Sequence, residues 1–270
     1  MKSDEERAQA QFEYERRHRE RILTSPRGKK RAKAFADAYR GLAQGMASKR
    51  FLDLETESGQ KGVQKFRLLR RFLRPMTVAA EFGPGDFSLA RVVAHHVYSL
   101  ALIDVVDNTK GIKLSKNCTF YQGDGSTVPE GLHDLHLAYS SHVIEHLHPD
   151  DVHHHLVSVR NALADGGYYA IFTPNRLSGP HDISKRFVDV AQGLHLKEYT
   201  VGEMHRLMVV AGFSKVFCSA GGKGMYVRIP LSYVMTAEYL LEMLPQSWRR
   251  SIASFLPVKA LLGIIMVGRK

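Results

Sequence analysis

The chain has 270 residues, 44% of them hydrophobic, and a formal net charge of +11 with a pI near 9.6. That is an ordinary balance for a soluble globule with a sizeable core, large enough for one α/β domain with appended pieces, and its charge favours an anionic partner without choosing which. The two cysteines, Cys118 and Cys218, exclude a disulfide framework and a thiolate zinc site, which makes a reducing cytoplasm the expected location. The opening residues are too charged for a secretory signal, and the most apolar run, Pro257 to Gly268, falls short of the roughly 20 residues of a spanning helix.

In chain order, residues 1–75 read as a charged helical extension. Glutamate and arginine interleave through Glu5 to Arg21, and a basic turn from Ser25 to Arg31 is read as a solvated loop rather than a phosphate-binding patch. Val63, Phe66, Leu69 and Phe72 then recur at helical spacing, with arginines between them. From Met76, short apolar runs alternate with helical segments. Strands are predicted at Thr77–Phe82, Tyr98–Asp104, Cys118–Gln122, Leu135–Tyr139, Tyr168–Thr173 and Val216–Ser219, and helices at Asp150–Leu163 and Val201–Ala211. Residues 229–258 interrupt with two amphipathic helices bracketed by Pro230, Pro245 and Pro257, and Ala260–Val267 closes as a last strand. The pattern predicts a doubly wound, mostly parallel seven-stranded sheet in a domain spanning 76–270, with a helical insertion before its last strand. Such sheets bind ligands beyond the carboxyl ends of their strands, so functional residues should follow each strand.

After the first strand comes Glu81-Phe-Gly83-Pro-Gly85. Glycines at a strand-to-helix turn let the backbone approach a ligand and bring helix N-terminal amides near it. Asp104, at the end of the next strand, is placed to take a ribose hydroxyl pair. Ser88 replaces the third glycine of a dinucleotide fingerprint, so a dinucleotide and an adenosine cofactor stay in competition at this point.

These segments together resemble the class I S-adenosylmethionine-dependent methyltransferases, from about Thr77 to Phe213, which implies a Rossmann-like fold. By that resemblance Glu81, Gly83 and Gly85 border the methionine part of the cofactor. Asp104 is the ribose acid, and Asp124 in Gly123-Asp-Gly125 takes the adenine amino group. Ser140 lies on the strand that ends under the transferable methyl. Ala162-Leu-Ala-Asp-Gly166-Gly167, Thr173-Pro-Asn175 and Ala211-Gly-Phe213 follow the family's later pattern. Where many members carry a further glycine, this chain has Phe87, which implies different packing of the loop. The resemblance implies S-adenosylmethionine as cofactor and S-adenosylhomocysteine as product.

Six histidines lie between Tyr139 and Leu156. His142-Val-Ile-Glu145-His146 fits H-x-x-E-H, but a zinc peptidase needs both histidines on one helix, and Pro149-Asp150-Asp151 starts a helix only afterwards. His153, His154 and His155 point in three directions along that helix and cannot form one ligand set. The acceptor side is assigned to His142 and His146 as candidate bases, since histidine titrates near neutrality, with Asn175, His181 and His195 as substrate contacts. The expected reaction is O-methylation of a small, anionic or amphipathic acceptor such as a sugar, lipid or natural-product intermediate. No metal is expected, although Glu145 and His146 resemble part of the E-x-x-E-H set of metal-dependent small-RNA 2′-O-methyltransferases, with His142 in the place of the first glutamate and His195 as a candidate distant ligand. That metal-assisted RNA reading and a non-catalytic cofactor-binding scaffold are the alternatives. Nucleic acid is not expected as a partner, for want of an aromatic-plus-basic module. Trp248, Tyr233 and Tyr239 in the inserted helices suit a core, a cover over the acceptor, a dimer face or a membrane-surface element. A monomer and a homodimer both fit.

Overall fold

The computed structural model describes residues 3–45 and 55–270, so part of the predicted extension, residues 46–54, lies outside the described residues. Helix α1 (Asp4–Thr24) opens with a reciprocal capping box between Ser3 and Glu6. Helix α2 (Lys29–Gly45) packs back on it, with the Tyr14 hydroxyl donating to the Ala38 carbonyl at 2.8 Å. The basic turn between them is not a free loop. Arg31 donates to Asp151 at 2.7 Å, and Arg27 pairs with the same carboxylate. Helix α3 (Glu55–Leu69) buries Phe66 and Leu69 as its spacing requires, whereas Val63 stands exposed. Gly62 brings this helix against the backbone of Ser88, where a Cβ would fall 2.6 Å from the carbonyl oxygen.

The sheet has eight strands rather than seven: β1 (Val78–Phe82), β2 (Ser99–Asp104), β3 (Cys118–Gln122), β4 (Leu135–Ser141), β5 (Leu163–Thr173), β6 (Lys215–Gly222), β7 (Met225–Ile229) and β8 (Ile264–Arg269). Their order is β3-β2-β1-β4-β5-β8-β6-β7. The first five in that order are parallel; β8 runs antiparallel between β5 and β6, and β7 pairs antiparallel to β6. The unpredicted strand, β7, follows Gly221-Gly-Lys-Gly224, which reads as punctuation. It is an edge strand that buries only Tyr226 and leaves Met225 and Val227 in solvent. The last strand starts at Ile264, because Ala260 to Leu262 finish a helix. β5 starts at Leu163, and its register slips between Leu135 and Leu137 of β4 to absorb the extra residues of Asp165-Gly-Gly167.

Helices cover both faces. α4 (Ser88–Ala94) and α3 pack over Leu100, Leu102, Leu137 and Tyr139, while α5 (Pro149–Ala162) and α6 (Val201–Val210) cover Ala80, Phe82, Ala138 and Ile171. The insertion holds three helices where two were predicted: α7 (Leu231–Glu242), α8 (Gln246–Ser254) and α9 (Leu256–Leu262). Pro257 sits in the first turn of α9, where its missing N–H costs no hydrogen bond. Strand order reverses at β1, flanked by β2 on one side and β4 on the other, which opens a crevice at the carboxyl ends of these strands.

Candidate active site

The first half of the crevice is built by the turns after β1, β2 and β3. Gly83 and Gly85 hold φ values of 62° and 53°, a region that side chains disfavour. A Cβ on Gly83 would meet Val143 at 2.5 Å, whereas Gly85 faces open space apart from the Gly83 carbonyl oxygen at 3.9 Å. Phe87 keeps the left-handed conformation of a glycine, at φ 60° and ψ 10°. That costs about 1–2 kcal/mol, and burying its ring against α4 and β1 returns about 2–3 kcal/mol. The expected repacking of the loop therefore occurs in the side chain and leaves the backbone turn intact.

Three carboxylates line this half. Glu81 is buried beneath the turn, with Oε2 accepting from the Tyr139 hydroxyl at 2.9 Å. Burial pushes its carboxyl up to about 8, against the Tyr139 hydrogen bond and the nearby charge of Lys65. Asp104 accepts the Val105 amide at 2.7 Å and the Val106 amide at 3.4 Å through Oδ1 alone. Burial still leaves its carboxyl above the usual aspartate range. Asp124 accepts the Ser126 and Thr127 amides at 2.8 Å each, and these bonds outweigh its burial and hold it below that range.

The second half begins where β4 ends. His142 has φ 57°, donates its amide to Phe172 at 2.8 Å, and turns an exposed ring back to Glu145, with Nδ1 3.0 Å from Oε1. Ile144–His146 forms a single 3₁₀ turn, so the histidine pair of H-x-x-E-H shares no helix. Glu145 is fully buried and accepts from the Thr173 hydroxyl at 2.7 Å through Oε2. Burial would raise its carboxyl, but His142 and the nearby His146 and His195 hold it down at about 2. His146 has Nδ1 2.9 Å from the Leu194 carbonyl, so the neutral ring protonates Nδ1 and frees Nε2. Burial pushes this imidazole down to about 4.

His195 stands edge-on to His146, with ring centroids 4.7 Å apart. Its Nδ1 lies 2.6 Å from Oε1 of Glu198, which also accepts the His181 amide at 2.7 Å. Burial works against a charged ring here, yet the Glu198 hydrogen bond and the nearby Glu145 raise His195 above the ordinary histidine value. One ligand atom from each of Glu145, His146 and His195 lies within 4.8 Å of the others. This set of two imidazoles and a carboxylate suits zinc or a similar transition ion, and both Nδ1 atoms are already held by an acceptor, as in ligated histidines.

Two of the expected contact residues are buried and hydrogen-bonded within the protein. Ser140 is completely buried, and its Oγ accepts from the Tyr169 hydroxyl at 2.9 Å. Asn175 is 1% exposed and donates Nδ2 to Glu238 and to the Leu262 carbonyl while Oδ1 accepts the Leu177 amide. It pins the inserted helices to the segment after β5, with both Nδ2 protons spent on these bonds. His181 points Nε2 toward Ser178 and the Asn175 carbonyl, on the Glu198 side of the cluster. The histidine trio splits as its spacing requires: His153 and His154 are exposed, and His155 is buried between the Ser126 carbonyl and the Tyr169 hydroxyl.

The N-terminal helices supply what the sequence did not reveal. Arg19 of α1 donates to the carbonyls of His195 at 2.6 Å and Leu196 at 2.9 Å, while Glu15 accepts the Leu194 amide at 3.1 Å. Tyr39 of α2 sets its ring 6.0 Å from His146. Lys65 of α3 reaches the Ser141 hydroxyl, among the charges of Glu81, Asp86 and Glu145, and burial lowers its ammonium below the usual lysine range. A lysine sharing a helix face with Phe66 and Leu69 was the one available signal for it.

No family model matches the sequence, and no curated protein matches it. Among solved structures, the fold aligns with the plantazolicin methyltransferase BpumL in complex with SAH, at TM-score 0.54 and 10% identity over 97% of this chain and 98% of that one. It aligns with a chain of the complex holding the Haloferax volcanii Trm112 methyltransferase activator, at TM-score 0.53 and 15% identity over 83% and 94%. It also aligns with the Burkholderia thailandensis 1,6-didemethyltoxoflavin-N1-methyltransferase with bound 1,6-didemethyltoxoflavin and S-adenosylhomocysteine, at TM-score 0.50 and 15% identity over 88% and 86%. The fold is thus that of the S-adenosylmethionine-dependent methyltransferases, with a mostly parallel sheet and an antiparallel edge.

Proposed function

We propose that the protein is an S-adenosylmethionine-dependent O-methyltransferase acting on a small or amphipathic acceptor, with His195 as the general base. The observation that carries this reading is the placement of Glu81, Asp104 and Asp124 at the ends of adjacent strands, next to a cluster of polarised histidines across the same crevice. The donor set fits the cofactor: an open glycine cradle at Gly85, a buried carboxylate for an ammonium group, and Asp104 with Oδ2 free of protein donors among the described residues. When bound, S-adenosylmethionine supplies an electrophilic methyl group on a sulfonium.

The chain's own residues supply orientation and a proton acceptor. Glu198 fixes the Nδ1 proton of His195 and leaves Nε2 to accept the proton of an acceptor hydroxyl, the division of labour of a carboxylate–histidine pair. His146, held near pH 4, is too weak a base at neutrality and instead packs against His195. His142 orients Glu145 from the solvent side. Arg19 and Glu15 of α1 hold the His195 segment in place, and the N-terminal helices exclude water from the cluster.

Labelled S-adenosylmethionine incubated with cell extract and followed by mass spectrometry of the product tests this. Wild type should label an acceptor, and His195→Asn should not. Failure of both to label while both bind S-adenosylhomocysteine would remove the catalytic reading and leave a scaffold.

A second reading rests on the mutual approach of Glu145, His146 and His195. In it these residues hold a transition ion, which would polarise the acceptor oxygen. Metal analysis of the purified protein and a His146→Ala variant separates the two readings. Stoichiometric zinc or manganese, lost in the variant, would establish the metal. A metal-free enzyme insensitive to chelators would eliminate it.

A further inference from the structure

Helices α7 to α9 leave large apolar side chains in solvent along one stretch of chain. Tyr233, Tyr239, Leu240 and Met243 project from α7, and Trp248, Ile252, Phe255 and Leu256 from α8 and the start of α9. The α7 set recurs at helical spacing, Trp248 and Ile252 lie one turn apart on α8, and Phe255 and Leu256 stand at the bend into α9. Trp248 is 66% exposed, Phe255 65% and Leu256 74%, where single exposed residues are normal but concentrated patches mark an interface.

Among the described residues, the charges around these stripes that are left without an ion pair have one sign. Glu238 is buried and spent on Asn175 and the amides of Val201 and Gly202, and Glu242 is paired with Arg176. Arg250 is paired with Asp189. Arg249 and Lys259 remain, with no ion pair among the described residues, and serine, threonine and proline fill the other exposed positions. The whole chain carries +11. A second copy laid on this face would bring like charges together, whereas an anionic surface complements them.

We infer that the α7–α9 face docks on an anionic lipid bilayer, with Trp248, Phe255 and Leu256 entering the headgroup boundary and Arg249 and Lys259 meeting lipid phosphates. No described helix is long and apolar enough to cross a membrane, so the attachment lies in the surface plane. The same helices border a cavity of about 210 Å³ lined by Arg176, Leu196, Lys197, Glu198, Gln246 and Arg249 among others. Glu198 is the partner of His195. Docking thus sets the entrance of that cavity at the lipid surface, which favours a membrane-resident amphiphile as acceptor; this last link rests on the methyl-transfer reading, and the docking does not.

Trp248 is the sole tryptophan of the chain, so its emission reports on this face alone. Vesicles of phosphatidylglycerol mixed equally with phosphatidylcholine should shift that emission to shorter wavelength and carry the protein in flotation. Vesicles of phosphatidylcholine alone should do so far less. Replacing Phe255 and Leu256 together by serine should abolish flotation with S-adenosylhomocysteine binding unchanged, which shows that the variant is folded. Arg249→Gln should lower partitioning about fivefold. Emission that ignores anionic vesicles would overturn the proposal. So would a shift that appears on concentrating the protein without lipid, which would assign the face to self-association.

Discussion

The two halves of the crevice are built by different means. On the cofactor half, Glu81, Asp104 and Asp124 each stand at or just beyond a strand end, and Asp104 and Asp124 are fixed by amides within three residues of themselves. On the acceptor half, Glu145, His146 and His195 are drawn together from segments about 50 residues apart, and their loop is held by α1 from the far end of the chain. A site made of short-range turns is fixed once its strand forms. A site made of long-range contacts depends on the packing of every helix that braces it.

The largest effect should come from the acceptor half. His195→Asn should lower methyl transfer between about 100- and 10,000-fold without altering S-adenosylhomocysteine affinity. Glu198→Gln should move the His195 titration, followed by NMR, to lower pH, because the carboxylate is what raises it. An unmoved titration would show that Glu198 does not polarise the ring.

Next comes Glu81, where function and stability oppose each other. Its folded carboxyl titrates at about 8 against an ordinary 4.5. The folded state therefore binds the proton more tightly, and the stability this confers is complete below pH 4.5 and lost as pH rises through 8. At about 1.4 kcal/mol per pH unit, ionised Glu81 costs the empty fold on the order of 5 kcal/mol. Glu81→Gln should flatten this slope and raise the melting temperature at pH 9. The same change should weaken S-adenosylhomocysteine binding on the order of 100-fold, as expected for a buried charged hydrogen bond. In the wild type, that affinity should increase between about pH 6 and 8, since the ligand's ammonium favours the ionised carboxylate.

Two smaller effects probe the frame. Phe87→Ala should destabilise by about 3 kcal/mol in urea, and Phe87→Gly should recover about 1 kcal/mol of that by relieving the left-handed backbone. Asn175→Ala should cost about 2 kcal/mol by taking one donor from Glu238 and removing the Asn175 partner of the Leu262 carbonyl and the Leu177 amide, with binding of cofactor product unchanged. A loss of acceptor turnover with full stability would return Asn175 to the substrate.

The contrast between the halves also explains what the sequence revealed. Glycine spacing, acidic strand ends and the alternation of apolar runs encode local geometry, so seven of the eight strands and the strand-end positions of Glu81 and Asp104 could be read directly, while Asp124 came from the family resemblance. Ser140 shows a further limit, since the burial of its hydroxyl against Tyr169 follows from packing across the sheet rather than from its place in the sequence. The approach of His195 to His146 had no local signature, since the two segments that carry them lie about 50 residues apart and are braced by α1. β7 escaped notice because an edge strand buries little and shows no apolar alternation. The inserted stripes were visible as aromatic residues, but only their exposure distinguishes a surface from a core.

Isothermal calorimetry of S-adenosylhomocysteine with wild type, Glu81→Gln and His195→Asn tests the central claim most directly. The two-part crevice predicts micromolar, one-to-one binding to wild type and to His195→Asn, and its collapse in Glu81→Gln. Absence of binding to the wild type, or undiminished binding to Glu81→Gln, would contradict it.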